Sequence, residues 1–163
     1  MVRIVTGKID SGKTTRLLEI YKLLGIGDGF IAKKYMTGTD VFGFNLVKLS
    51  TSQEYPYMIH DKQLRNLTGK KNEEVFADRI GPYRIYKESL ALINNFYEGL
   101  IDSDISPLYF DEVGKLEISG KGYYQSIKDA LDKNIDIYMT IREDLIEEVM
   151  LVFDISEYEI ISR

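Results

Sequence analysis

Residues 7–14 read Gly7-Lys8-Ile9-Asp10-Ser11-Gly12-Lys13-Thr14. The order matches Gly-x-x-x-x-Gly-Lys-Ser/Thr in full, a spacing that operates only between a strand and a helix. No other feature restricts the possible folds so tightly. A loop of this kind turns successive backbone N–H groups inward to make an anion nest. Glycine serves where the chain turns most sharply, because a side chain there would obstruct the approach. The following helix adds unpaired N–H groups and the positive end of its dipole. The spacing therefore predicts a phosphate-binding loop made of Gly7, Lys8, Ile9, Asp10, Ser11, Gly12, Lys13, Thr14 and Thr15. Within it, Lys13 supplies charge to the β and γ phosphates of a nucleoside triphosphate, and the Thr14 hydroxyl is placed for magnesium (Mg2+).

The flanking sequence agrees. Val2, Ile4 and Val5 form a short apolar run before the loop, as in a buried parallel strand. After it, Leu17, Leu18, Tyr21 and Leu24 recur at helical spacing, and Gly25 offers a stop. Only one of the chain's Gly-Lys dipeptides, Gly12-Lys13, has both the upstream glycine and the following threonine. A plain tight turn between strand and helix is the competing explanation. Asp10 stands out, since a carboxylate facing bound phosphate opposes binding. It is expected to face solvent or to pair with Lys8 on the outer side of the loop.

The length of 163 residues fits one domain over 1–163, and 44% hydrophobic residues can build a sizeable core. No stretch is long and apolar enough to span a membrane, and the chain runs from Met1 into a strand without a leader. With no cysteine there is no disulfide framework, and the lone His60 cannot build a multi-histidine metal site. These features point to the cytoplasm. A net charge of −5 argues against nucleic acid as a general partner. The sequence names no protein partner.

Farther along, Phe30–Tyr35, Val41–Leu49 and Glu54–His60 read as strands separated by turn residues. This is a hairpin meander where an alternating α/β chain would place another helix. The span Asp61–Glu74, with Lys70-Lys71, reads as a polar loop. Phe76–Ile85 reads as a strand broken at Gly81-Pro82. Leu90, Ile93, Tyr97 and Leu100 share a helical face. Leu108-Tyr109-Phe110 is a short strand, and Tyr124, Ile127 and Leu131 mark a further helix. Ile135–Ile141, a helix around Asp144–Val152 and a strand near Glu159–Ser162 complete the chain. The scattered tyrosines read as core edges and sheet faces.

A phosphate loop alone binds; chemistry needs a metal ligand and a group that orients water. Asp111-Glu112 follows the strand Leu108–Phe110 directly, at the strand end where open α/β sheets bind ligands. Asp111 is the candidate to hold magnesium, through water. Glu112 is the candidate catalytic carboxylate, orienting the water that attacks the γ-phosphate or accepting its proton. Lys13 is the second catalytic candidate. Taken alone, the acidic pair also suits two ordinary strand-end charges.

The segment Asp111-Glu112-Val113-Gly114-Lys115-Leu116-Glu117 closely resembles the Asp-Glu-Ile-Gly-Lys-Met-Glu signature of a family of small nucleoside-triphosphatases first described from thermophiles. Gly12-Lys13-Thr14-Thr15, Gly27-Asp28-Gly29-Phe30, Gly43-Phe44 and Gly81-Pro82-Tyr83 resemble further family segments in the same order. The loop interior departs from the family's Gly-Pro-Pro-Gly-Val, which marks a divergent member. The resemblance implies an α/β three-layer sandwich of the RecA/AAA-like phosphate-loop class: a mostly parallel sheet with an added antiparallel hairpin segment. It implies slow, magnesium-dependent hydrolysis of ATP, GTP and other nucleoside triphosphates, and it places Lys115 near the phosphates. Two other readings stand beside it: a nucleotide or nucleoside kinase, with Arg65, Arg79 and Arg84 as lid candidates, and a nucleotide-dependent switch with little turnover. Arg142 is a further candidate as a cis arginine, or else a surface partner of Glu143 or Asp144. Arg16 either reaches a phosphate or the base, or packs at the sheet edge.

Overall fold

The computed structural model describes residues 1–67 and 73–161. The chain begins with β1 (Val2–Gly7), the loop, and helix α1 (Lys13–Leu24). A meander of β2 (Asp28–Thr37), β3 (Asp40–Lys48) and β4 (Glu54–His60) follows. Helix α2 (Asp61–Leu67), β5 (Phe76–Ile80), β6 (Tyr83–Tyr86) and α3 (Lys87–Asp102) come next. The last part contains β7 (Leu108–Val113), α4 (Lys115–Ile118), α5 (Tyr124–Asp132), β8 (Ile137–Arg142), α6 (Ile146–Val152) and β9 (Tyr158–Ile161).

Among the described residues these strands form one nine-stranded sheet, in the order β5-β6-β4-β3-β2-β7-β8-β1-β9. From β2 to β9 every neighbouring pair is parallel; from β2 to β5 every pair is antiparallel. The α/β phosphate-loop architecture is thus present, and its added antiparallel segment comprises β3, β4, β6 and β5. One strand, β8, separates the loop strand β1 from the acidic strand β7.

Side chains in a strand alternate between faces, and the central strands bury both. Ile4, Leu108, Phe110, Ile137 and Met139 face a core filled by Ile93, Tyr97 and Ile101 of α3, Ile127 of α5 and Val149 of α6. Val5, Tyr109 and Tyr138 face the opposite way, against Leu17 and Ile20 of α1. Helices therefore cover both faces of the parallel half, as parallel sheets require.

The join between the two halves is built tightly. Gly29 of β2 passes so close to β7 that an added Cβ would lie 2.1 Å from the Tyr109 carbonyl oxygen. The Tyr97 hydroxyl spans the same seam: it donates to the Tyr109 carbonyl at 2.5 Å and accepts from the Phe30 N–H at 3.1 Å. Its ring stacks on Phe110 with centroids 4.4 Å apart. Burial pushes the Tyr97 phenol well above its ordinary pKa, so it stays a donor at any physiological pH.

One predicted loop differs from the structure. Asp61–Leu67 is helix rather than loop. Its apolar residues, Leu64 and Leu67, are too few to show a period. The turn after β7 holds the four-residue α4, too short for periodicity to reveal. Lys70-Lys71 lie outside the described residues, as does the side chain of Arg65. The tyrosines go deeper than expected, with Tyr97, Tyr109 and Tyr123 among the largest fully buried side chains.

Candidate functional site

The first wall of the site is the loop between β1 and α1. Gly12 caps α1 at φ 83°, a left-handed conformation suited to glycine. At Gly7 an added Cβ would meet the Ser11 hydroxyl at 2.5 Å. No acidic residue occupies the first turn of α1, so the positive end of its dipole is not neutralised there. The Lys13 side chain is buried and folds back over the loop, donating from Nζ to the Lys8 carbonyl at 2.8 Å.

The second wall is the end of β7. Pairing of β7 with β8 shifts register between Phe110 and Val113, and Glu112 adopts φ 58°. This irregularity re-aims a side chain, as bulges do. Asp111 is buried while Glu112 opens to the cleft. Thr140 of β8 braces both: its hydroxyl donates to Asp111 Oδ1 at 2.6 Å and accepts from the Glu112 N–H at 2.7 Å.

Asp111 joins the two walls. Its Oδ2 accepts from the Thr14 hydroxyl at 2.8 Å and from the Ala32 N–H at 2.9 Å. Beyond the point where the β2–β7 ladder ends, at Phe30 opposite Phe110, a carboxylate thus takes over the pairing. Burial raises the Asp111 pKa, against the lowering effect of these hydrogen bonds. Desolvation and then the Asp111 charge raise the Glu112 pKa, with Lys13 and Lys34 opposing them.

Between the walls lies a cleft of about 470 Å³, lined by the loop from Asp10 to Thr15, by Ile31 to Lys34, and by Glu112. Among the described residues no group of three or more His, Cys, Asp or Glu could hold a metal. The Thr14 hydroxyl lines this cleft, and the buried Asp111 carboxylate stands directly behind it, in hydrogen-bond contact. This hard, oxygen-only pair suits an ion that keeps waters and phosphate oxygens as its other ligands.

The structure brings Lys13, Thr14, Asp111 and Glu112 together. It leaves two of the weaker candidates, Arg142 and Arg16, otherwise engaged. Arg142 stands in register opposite Gly7 but forks onto Asp144, with Nη2 2.7 Å from Oδ2. Arg16 pairs with Glu19 on its own helix at 3.2 Å, and Lys115 is exposed on α4. Asp10 is exposed, but its partner is Lys34 at 2.6 Å rather than Lys8. The β2 strand approaches the loop from across the cleft, and no local pattern announces that.

Three contributors escaped the sequence reading. Thr140 left a signal, a single hydroxyl in the apolar run Ile137–Ile141. Ala32 acts through its backbone and left none. Glu117 is buried at 1% exposure, and its carboxylate accepts from the Gly114 N–H at 2.8 Å and the Tyr123 N–H at 3.1 Å. It thereby fixes the turn after Glu112. Burial pushes its pKa up to about 7.

A phosphate loop, a buried strand-end aspartate and helices on both faces of a parallel sheet define a phosphate-loop nucleotide-binding protein. More narrowly, the chain belongs to the NTPase family (NTPase_1), whose model matches residues 3–161, and it is accordingly classed as an NTPase. It is 25% identical to the nucleoside-triphosphatase THEP1 of Natranaerobius thermophilus, over 85% of this chain and 73% of that protein. It is 20% identical to the nucleoside-triphosphatase THEP1 of Thermotoga maritima, over 94% of this chain and 86% of that protein. The crystal structure of THEP1 from Aquifex aeolicus has the same fold, with a TM-score of 0.63 at 22% identity over 99% of this chain and 89% of that one. These identities agree with a divergent member.

Proposed function

We propose that this chain hydrolyses nucleoside triphosphates to diphosphate and phosphate, with magnesium, at the cleft between the loop and β7. The observation that carries the reading is Glu112. A bulge turns this carboxylate into the cleft that the loop and Lys13 also line, while Asp111 beside it stays buried. A carboxylate so placed can orient an attacking water and accept its proton, which hydrolysis requires. The names of the two curated relatives, both nucleoside-triphosphatases, support the same reading.

The loop amides and Lys13 hold the β and γ phosphates and stabilise charge on the γ oxygens as the bond to the leaving oxygen lengthens. Lys13 is stored against the Lys8 carbonyl and exchanges that contact for phosphate. Glu112 orients the attacking water and accepts its proton; its raised pKa makes it a better base. Thr14 and Asp111 would hold magnesium, which when bound offsets charge on the phosphate oxygens.

The kinase reading lacks a matching observation. Arg79 and Arg84, offered for a lid, both pair with Asp61, at 2.6 and 2.9 Å. No helix among the described residues is long and apolar enough to cross a membrane.

The test is phosphate release from ATP, GTP, CTP and UTP with magnesium and no acceptor. Glu112→Gln keeps the shape and removes the charge, so turnover should fall by roughly 10²-fold with nucleotide binding retained. Release that strictly requires a nucleoside or monophosphate acceptor would overturn hydrolysis as the function.

A further inference from the structure

One pair of charges in the cleft is not used by this mechanism. Asp10 lies inside the phosphate loop in a left-handed conformation, φ 57°. Its carboxylate is held at 2.6 Å by the Lys34 ammonium, which reaches across from β2. Both residues line the same cleft as Lys13, Thr14 and Glu112. The charges also act on one another: Lys34 and, less strongly, Lys13 hold down the Asp10 carboxyl, and both lysines oppose the rise that desolvation and Asp111 impose on Glu112. Lys34 therefore stands within electrostatic reach of the residue assigned to the attacking water.

A carboxylate in an anion-binding loop opposes the ligand the loop is built for. Lys34 neutralises it while the loop is empty. The pair is wet, with side chains 37% and 71% exposed, and wet ion pairs are weak. An incoming triphosphate carries several charges and sits in a nest of N–H groups, so it competes well for an ammonium already at the site.

We propose that Lys34 is a second phosphate-binding lysine and that Asp10 is its resting partner. On this account, binding exchanges the Asp10 carboxylate on Lys34 for an oxygen of the γ-phosphate. The inference rests on the cleft being the nucleoside-triphosphate site. It gives the divergent loop interior a purpose: Asp10 keeps Lys34 engaged until a better anion arrives.

The experiment is calorimetric titration with a non-hydrolysable triphosphate and with the diphosphate, for wild type, Lys34→Met, Asp10→Asn, the double variant and Lys13→Ala. Lys34→Met should weaken triphosphate binding about tenfold, roughly the worth of one charge-assisted contact, and diphosphate binding much less. Asp10→Asn should tighten triphosphate binding severalfold. The double variant decides between a ligand and a mask. If Lys34 touches phosphate, Lys34→Met still weakens binding in the Asp10→Asn background. If Lys34 only masks Asp10, the double variant binds like Asp10→Asn alone, and the proposal is overturned. Lys13→Ala separates the two levels of argument. Loss of binding there with no effect at Lys34 overturns this inference alone, whereas binding unaffected by Lys13→Ala overturns the site reading itself.

Discussion

Thr140→Val tests how the acidic strand end is held. Valine has nearly the shape of threonine, so packing in this fully buried position is preserved. What disappears is one hydroxyl with two partners, Asp111 Oδ1 at 2.6 Å and the Glu112 N–H at 2.7 Å. The bond to the carboxylate is worth about 1.5–3 kcal/mol and the bond from the backbone N–H about 1 kcal/mol. Asp111 is 1% exposed, so water cannot replace the missing donor. Together the losses come to about 3 kcal/mol. For a chain of 163 residues that lowers the melting temperature by about 9 °C. Calorimetry of the wild type, Thr140→Val and Thr140→Ser measures this directly, and serine, which keeps the hydroxyl, should recover most of the loss. Kinetics supply a second readout. Glu112 loses the bond that fixes its backbone, so kcat should fall by up to about 10²-fold with KM nearly unchanged. A valine variant that melts within a degree or two of wild type and turns over normally would refute the reasoning, because the hydroxyl would then brace nothing.

Lys13→Ala should weaken nucleotide binding and turnover together, unlike Glu112→Gln; parallel titrations and phosphate-release assays separate the two patterns. Gly29→Ala should cost about 3 kcal/mol or prevent folding, because its Cβ would meet the Tyr109 carbonyl at 2.1 Å; urea unfolding or soluble yield reads this out. Glu117 titrates near pH 7 in the folded chain against 4.5 ordinarily. Between those values the folded state holds the extra proton, so this group's contribution is most favourable below pH 4.5 and falls by about 3 kcal/mol as pH rises through 7. Urea unfolding at pH 5 and pH 8 should therefore show Glu117→Gln destabilised at pH 5, where its amide faces an N–H it cannot accept, with the gap narrowing or reversing at pH 8.

How much of this was legible in the sequence follows from how each contact is encoded. The loop is local: Gly7 to Thr14 carry their own backbone requirements, and Val5 and Leu17 announce the strand and helix around them. Asp111 and Glu112 were legible through their place after Leu108–Phe110 and through the longer signature that includes Glu117. The contacts that assemble the site are not local. Thr140 lies 29 residues from Asp111, and its meaning depends on β8 entering the sheet between β1 and β7. Ala32 contributes only an N–H, which any residue except proline would supply. Lys34 became part of the cleft because β2 is pinned against β7, by Gly29 and Tyr97, at an angle no periodicity records. Helices α2 and α4 escaped because seven and four residues are too few to display a 3.6-residue repeat.

The same contrast explains why the acidic end of β7 is organised as it is. Two adjacent carboxylates at one strand end repel, and alternation along a regular strand would simply send them to opposite faces. Here the register shift and the left-handed Glu112 replace alternation with a division of labour. Asp111 turns inward, where Thr14, Ala32 and Thr140 give its two oxygens three donors. A buried carboxylate is tolerable only when so satisfied. Glu112 turns outward, keeps its oxygens unclaimed by those donors, and has its pKa raised by desolvation and then by the neighbour that is held in place. A regular strand would satisfy neither requirement; on the proposed function, the bulge is the local structure that would separate holding a metal from activating water.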